Sequence, residues 1–354
     1  MGYEAVFFAA QNTTRGFRSY FSEIFDPDGL ADLFIIKGGP GTGKSGLMRR
    51  LASEAENRGM KAERFVCSSD PDSLDGVLIP EIGAALADGT SPHTLDPVYP
   101  GAVENIVNTG AFWDVGKLRE HKGEILRLIR EGRVLYRRAY RYLAALGEIA
   151  EEMQRIGMQG FRKEKMRSQI KRLAGKAFTK GGSGKAKTRV LSTFNKNGLE
   201  RLPGFGESAK EVYFVRDHAF TGTVLLAGLA EEAKEKGQPF IRCPSPLFPD
   251  QPEALFFPET ACYFTLEPEG AERQNAGHIL NMTRFTDREM VRANSRKLRF
   301  GKKCADSLLH GAAESFREAA AAHGELERFY VSAMDFAALN GATEDLIRRL
   351  YASE

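Results

Sequence analysis

The chain has 354 residues, of which 42% are apolar and 27% charged, with a formal charge of +3. At roughly 100–200 residues per domain this suggests about two domains, and the composition excludes global disorder. No apolar run approaches the roughly 18 residues of a membrane helix, so no membrane partner is expected. The opening Met1-Gly2-Tyr3-Glu4-Ala5-Val6 has neither the basic start of a signal peptide nor the Ser or Thr of a myristoylation signal. Cys67, Cys243, Cys262 and Cys304 form no CxxC pair. That argues against a zinc ribbon or redox motif and for buried free thiols in a cytoplasmic protein.

In chain order, strands are predicted at 5–9, 33–36, 64–67 and 84–87, with helical patterns between them, then long helices over 117–153. A second series has strands at 190–194, 212–215, 240–242 and 261–265, followed by helices over 284–351. The two series share residues as well as order. Residues 45–59, SGLMRRLASEAENRG, and 223–237, TVLLAGLAEEAKEKG, match at six of fifteen positions. Cys67 and Cys243, then Pro80-Glu81 and Pro258-Glu259, fall in the same sequence of features, which points to an internal duplication. Alternating strands and helices favour parallel sheets. Between the halves, residues 161–189 carry eleven cations and a single acid, Glu164. This segment reads either as a solvated helix and a flexible Gly-Gly-Ser-Gly linker or as a handle for nucleic acid or another polyanion.

The strongest chemical signal is Gly38-Gly39-Pro40-Gly41-Thr42-Gly43-Lys44-Ser45, a match to GxxxxGK[ST]. It follows the apolar run Leu33-Phe34-Ile35-Ile36 and precedes apolar residues at helical spacing. Such a loop wraps phosphates with backbone N–H groups at a helix N-terminus. Gly39, Pro40, Gly41, Thr42, Gly43, Lys44, Ser45 and Gly46 are therefore the nucleotide-binding candidates. Lys44 supplies a point charge at the β and γ phosphates, and the Ser45 hydroxyl is a ligand for Mg²⁺. Asp88, closing the run Ala84-Ala85-Leu86-Ala87, is the candidate acid for the metal and for catalysis, against a plain turn residue before Gly89. The acidic loop at 68–76 is its rival, with Asp70, Asp72 and Asp75 placed to orient water, bind metal or meet a second substrate; Asp70 is taken as a catalytic candidate.

Weaker candidates surround these. Arg15 and Arg18 could serve as an arginine finger or lie exposed at a capped helix start. His93 could face a γ-phosphate or bond locally. Trp113 reads as a core anchor. In the second half the aligned segment is Arg216-Asp217-His218-Ala219-Phe220-Thr221-Gly222-Thr223, with Gly222 in place of Lys44 and Leu266 in place of Asp88. One competent site per chain is therefore expected, with a degenerate second half as structural or regulatory partner.

The stretches KGGPGTGKS, CSSDPDSLDGVLIPEIG, ADGTSPH and DPVYPGAVENIVN, with the late stretch 325–336, resemble a bacterial family of ATPase-like proteins with two P-loop-type halves, each followed by helices. The resemblance implies ATP binding at residues 38–45. A guanine-reading NKxD is absent, the nearest stretch being Asn195-Lys196-Asn197-Gly198.

The expected fold is α/β: P-loop NTPase-like parallel sheets in two related halves, each with an appended helical subdomain. The expected limits are 1–110 for the nucleotide-binding domain, 111–189 for helices and linker, 190–283 for the degenerate repeat and 284–354 for the C-terminal helices. The two halves could face each other as an intrachain pseudo-dimer. The expected activity is Mg²⁺-dependent ATP binding with slow hydrolysis. A small-molecule kinase, or a non-enzymatic nucleotide switch with a nucleic-acid or protein partner, fits the same residues.

Overall fold

The computed structural model describes residues 5–181, 183–267 and 277–351, the side chain of Arg288 excepted. Residues 1–4, part of the N-terminal stretch considered above, and Gly182 of the linker lie outside the described residues. The first half opens with β1 (Ala5–Phe8), a hairpin of β2 (Ala10–Thr13) and β3 (Gly16–Ser19), and a one-turn helix α1 (Phe21–Ile24). It continues through β4 (Asp32–Lys37), α2 (Lys44–Asn57), β5 (Glu63–Val66), β6 (Leu74–Ile79), β7 (Ala84–Asp88) and β8 (Glu104–Asn108). Then come α3 (Val115–Glu120), α4 (Lys122–Gly157) and α5 (Lys163–Ala177). The order repeats as β9 (Ala186–Thr188), the hairpin β10 (Ser192–Asn195) and β11 (Gly198–Arg201), β12 (Glu211–Arg216) and α6 (Gly222–Glu235). β13 (Phe240–Pro244), β14 (Pro252–Phe257), β15 (Cys262–Leu266), β16 (His278–Asn281), α7 (Arg288–Ala293), α8 (Ser295–Ala333) and α9 (Phe336–Leu350) complete it.

The two six-stranded sheets have the same order, β1-β5-β6-β7-β4-β8 and β9-β13-β14-β15-β12-β16. They are mostly parallel, as expected, but mixed, each with one strand reversed, which corrects the expectation of wholly parallel sheets. β6 runs antiparallel to β5 and β7, and β14 antiparallel to β13 and β15. The reason is chain length. The links 67–73 and 80–83 are too short for the crossover a parallel neighbour requires, so the chain turns back. β6 and β14 are buried at every position, so no alternation of polar residues marks them in the sequence. Two other expectations change. Residues 190–194 do not form one strand: β9 is the sheet edge and β10 belongs to a hairpin. Residues 11–18 form the β2–β3 hairpin rather than a helix start.

Each strand sorts its side chains with period two. On the inner faces, Leu33, Ile35, Phe65, Leu78 and Ala85 of the first sheet meet Val212, Ala254, Phe256 and Tyr263 of the second in one core. Phe205 bridges them, stacked on Phe256 at 4.6 Å and 5.3 Å from Phe7. The alternate residues Ile36, Val77, Ile79 and Leu86 face α2 and the end of α9. Val215, Leu255, Phe257 and Phe264 face α5 and α6. The result is four layers, helix–sheet–sheet–helix. Each buried Val, Leu, Ile or Phe among them contributes about 1.5–3 kcal/mol.

The halves are joined in the manner of a two-fold dimer. Phe8 and Val190, which hold equivalent places in the two halves, form an antiparallel bridge with each other, as residues on a two-fold axis must. The long helices α4 and α8 run antiparallel, so Arg138 donates to Ser315 Oγ at 2.9 Å while Gly301 abuts Met153. Each therefore starts beside its own sheet and ends on the other half. α5 packs on α6, and α9 on α2. Equivalent hydrogen bonds, Arg162 N to Phe285 O at 2.7 Å and Asp335 N to Phe112 O at 2.8 Å, anchor the two crossings. The helices at 111–189 are thus shared: α5 follows the first half in sequence but lies on the second in space.

Candidate functional site

β4 is buried along Leu33, Ile35 and Ile36 and runs between β7 and β8, parallel to both. Its end at Lys37 sends residues 38–43 into a loop at the strand's C-terminal edge. Lys37 itself donates to Gly89 O at 2.8 Å and Leu95 O at 2.7 Å, holding the segment after β7 against the loop. Thr109 Oγ1 donates to Lys37 O at 3.1 Å and Thr42 Oγ1 to Gly39 O at 2.9 Å, which closes the loop on itself. Gly41 and Gly43 take φ of +65° and +78°, the left-handed region that glycine enters without penalty. Gly43 is the N-cap of α2, and no side chain caps the helix. The N–H groups of the first turn are thus left directed at the loop's hollow.

Lys44, the first residue of α2, donates to Gly39 O at 2.6 Å and lies 3.6 Å from Asp88 Oδ2. Asp88 is the last residue of β7, buried, and pairs in register with Ile36. Its other oxygen accepts from Thr90 N at 2.9 Å and Thr90 Oγ1 at 2.6 Å. Ser45 Oγ accepts the N–H of Leu74 at 3.0 Å, leaving a lone pair for a further contact. Gly46 follows in the first turn with open space at its Cβ position. Lys44, Ser45 and Asp88 are thus brought together at one sheet edge. Among the described residues no group of three or more His, Cys, Asp or Glu is placed to hold a metal. A Ser–Asp pair requires none, since Mg²⁺ takes its other ligands from phosphates and water.

The remaining sequence candidates are engaged by other residues. Asp70 pairs with Lys196 of the second half at 3.0 Å. Asp72 accepts Arg49 on its backbone oxygen. Asp75 is buried, its Oδ2 3.3 Å from His93 Nε2, and His93 stacks on Phe21 at 4.5 Å, so the histidine serves the core. Arg15 meets Glu151 at 3.1 Å and also Asp250, which Arg18 approaches to 3.0 Å. Both arginines therefore reach toward the second half. Trp113 lies edge-on to Tyr330 at 5.7 Å. The four cysteines are free, and burial first, then Asp75, pushes the Cys67 thiol well up.

One residue near the loop was not singled out as a site residue from sequence. Glu327, on α8, has its carboxylate held below its usual range, first by His323 and then by the Gly41 N–H and Lys44. The same part of α8 and the start of α9 cover the outer side of the loop. A Cβ at Gly39 would lie 2.7 Å from Tyr330, at Gly41 2.8 Å from Val331 and at Gly43 2.6 Å from Leu339. The glycines thus serve packing as well as backbone shape. The signal available in sequence was the stretch 325–336.

The second half repeats the geometry with a different filling. Gly222 opens α6 where Lys44 opens α2, and Leu266 ends β15 where Asp88 ends β7. Asp217 Oδ1 accepts from Gly222 N at 2.6 Å and His218 N at 2.7 Å. The carboxylate therefore occupies the position at the helix N-terminus where an external anion would bind. Burial raises the Asp217 pKa against the opposing pull of those N–H groups. Gln154, from the far end of α4, donates to Phe220 O at 2.7 Å, so each long helix seats its end on the opposite loop.

Comparison with protein-family models, with curated proteins and with solved structures finds no match to the chain. No described helix is long and apolar enough to cross a membrane.

Proposed function

We propose that the chain binds Mg-ATP at the loop 38–45 and hydrolyses it slowly, at one site per chain. The observation that carries the reading is the convergence of an uncapped helix N-terminus, Lys44 and the buried carboxylate of Asp88, 3.6 Å from the lysine, at the end of the neighbouring parallel strand. The first-turn N–H groups would receive the phosphate oxygens. Lys44 would leave Gly39 O for the β and γ phosphates, where it offsets the charge of the transferring group. Ser45 and Asp88 fit Mg²⁺, which when bound supplies charge neutralisation at the phosphates. The second loop already holds the Asp217 carboxylate and has no lysine at the helix start, which supports single occupancy. Isothermal titration with ATP and Mg²⁺ tests the stoichiometry. One nucleotide per chain, lost in Lys44→Ala, is expected, and two would refute it.

A nucleotide switch is favoured by a different observation, the seating of α8 and α9 on the loop glycines. ATP entering the hollow would meet Glu327 and so bias a helix that extends to the second half. Amide hydrogen exchange along α8, with and without a non-hydrolysable ATP analogue, tests this. Unchanged protection of residues 323–333 would remove the switch reading.

A further inference from the structure

We propose that the end of the molecule formed by α5, the 282–285 turn and the start of α8 is a docking surface for the phosphate backbone of duplex nucleic acid. The observation is a charge difference between two copies of one structural element. α5 and α9 each have 15 residues, follow the long helices through equivalent anchoring bonds and pack on equivalent helices. α9 carries two cations and two acids, for a net charge of zero. α5 carries Lys163, Lys165, Arg167, Lys171, Arg172 and Lys176 against one acid, Glu164. The fold therefore does not require the charge, since the same element folds without it.

All six cations of α5 are exposed, and Lys165, Lys171, Arg172 and Lys176 lie on the side of the helix away from Ile170, Leu173, Ala174 and Ala177, which face the core. Arg167 meets Glu164 at 3.3 Å and Lys176 meets Glu211 at 3.8 Å. Among the described residues Lys163, Lys171 and Arg172 meet no carboxylate. Arg189, counted with this segment from sequence, is excluded because it is buried against Glu63. The excess of positive charge continues in the segment that meets α5. Lys165 Nζ donates to Arg284 O at 3.1 Å, which brings the 282–285 turn alongside the helix. Between Arg284 and Lys303 the chain carries eight cations and two acids, Asp287 and Glu289. The equivalent residues 111–130 of the other half carry five and three.

A surface of this kind recognises closely spaced phosphates through counterion release. Aromatic platforms for unstacked bases are sparse, with Phe300 exposed and Phe161 buried, which favours duplex over single strands. α5 spans about 22 Å at 1.5 Å per residue. The surface lies on the half whose own anion position is filled by Asp217, so the proposal does not depend on the nucleotide reading.

The test is fluorescence anisotropy with labelled 20-base-pair DNA and RNA duplexes over a KCl series. Two variants remove equal charge. One carries Lys163→Glu, Arg167→Glu, Lys171→Glu and Arg172→Glu, and the other, at the opposite end, Lys117→Glu, Arg119→Glu, Lys122→Glu and Arg130→Glu. All eight side chains are exposed, and circular dichroism verifies that both variants fold. The wild type should bind duplex with a salt slope that the first variant flattens by roughly 3 to 4 units, at about 0.9 per phosphate contact. Affinity should fall at least tenfold in the first variant and less than threefold in the second. Equal loss in both would reduce the effect to net charge and overturn the proposal. So would a wild type that ignores both duplexes, or one that binds only vesicles of 30% phosphatidylserine. DNA over RNA, or the reverse, identifies the helix form recognised. ADP formation from ATP without duplex should be unchanged in the first variant.

Discussion

Asp217 offers a test in which two substitutions at one atom separate hydrogen bonding from charge. Asp217→Ala removes the acceptor of the Gly222 and His218 N–H groups, at 2.6 and 2.7 Å. Leaving buried donors without partners costs about 1–3 kcal/mol each. Relief of the desolvated carboxylate returns part of this, so the net loss should be about 1–3 kcal/mol. Asp217→Asn keeps an oxygen in place and discards the charge. It should change stability at pH 7 by less than about 1 kcal/mol, with any change favourable. The sign follows from linkage. Burial raises the folded pKa of Asp217 above its unfolded value, so on raising the pH the unfolded chain releases this proton first. The wild type therefore loses this contribution as pH rises from the ordinary aspartate range through the raised folded value, and Asp217→Asn does not. Urea unfolding followed by circular dichroism at several pH values between 4 and 8 measures all three proteins. Equal destabilisation by Ala and Asn, or no loss with Ala, would refute the view that the carboxylate satisfies the helix N-terminus.

Three further outcomes are expected. Gly43→Ala forces a side chain into φ +78° and to 2.6 Å from Leu339, so the melting temperature should fall by an amount matching about 1–3 kcal/mol, and ATP affinity with it. Leu143→Ala opens a void in the fully buried contact of α4 with Phe194 and Phe316; a loss of about 2–5 kcal/mol in urea titration is expected. Arg189→Ala strands Glu63, to which the guanidinium donates at 3.0 and 2.7 Å across the two halves. Denaturant titration should show a loss of about 2–3 kcal/mol, and Arg189→Lys should restore only part of it, because one ammonium cannot reproduce the forked contact.

Much of the first half was legible in sequence because its signals are local. Glycines, lysine and serine at fixed spacing after an apolar run mark the loop, and Ala84-Ala85-Leu86-Ala87-Asp88 marks a buried strand that ends on an acid. The repeat was visible where α2 and α6 share leucines and alanines. The strands β6 and β14 were missed because burial on both faces removes the polar alternation that identifies a strand. The crossing of α4 and α8 was invisible for another reason. Amphipathic periodicity gives the apolar face of a helix but not its partner. Glu327 and Asp217 acquire their meaning only from that crossing and from the closure of the second loop, both long-range consequences of packing.

The most direct measurement is ADP formation over time from Mg-ATP, with Lys44→Ala measured in parallel. Turnover in the wild type that is lost in the variant, with one nucleotide bound per chain, is the predicted result. Equal turnover in both proteins, or a wild type that neither binds nor hydrolyses ATP, would contradict the assignment of the loop between β4 and α2 as the site.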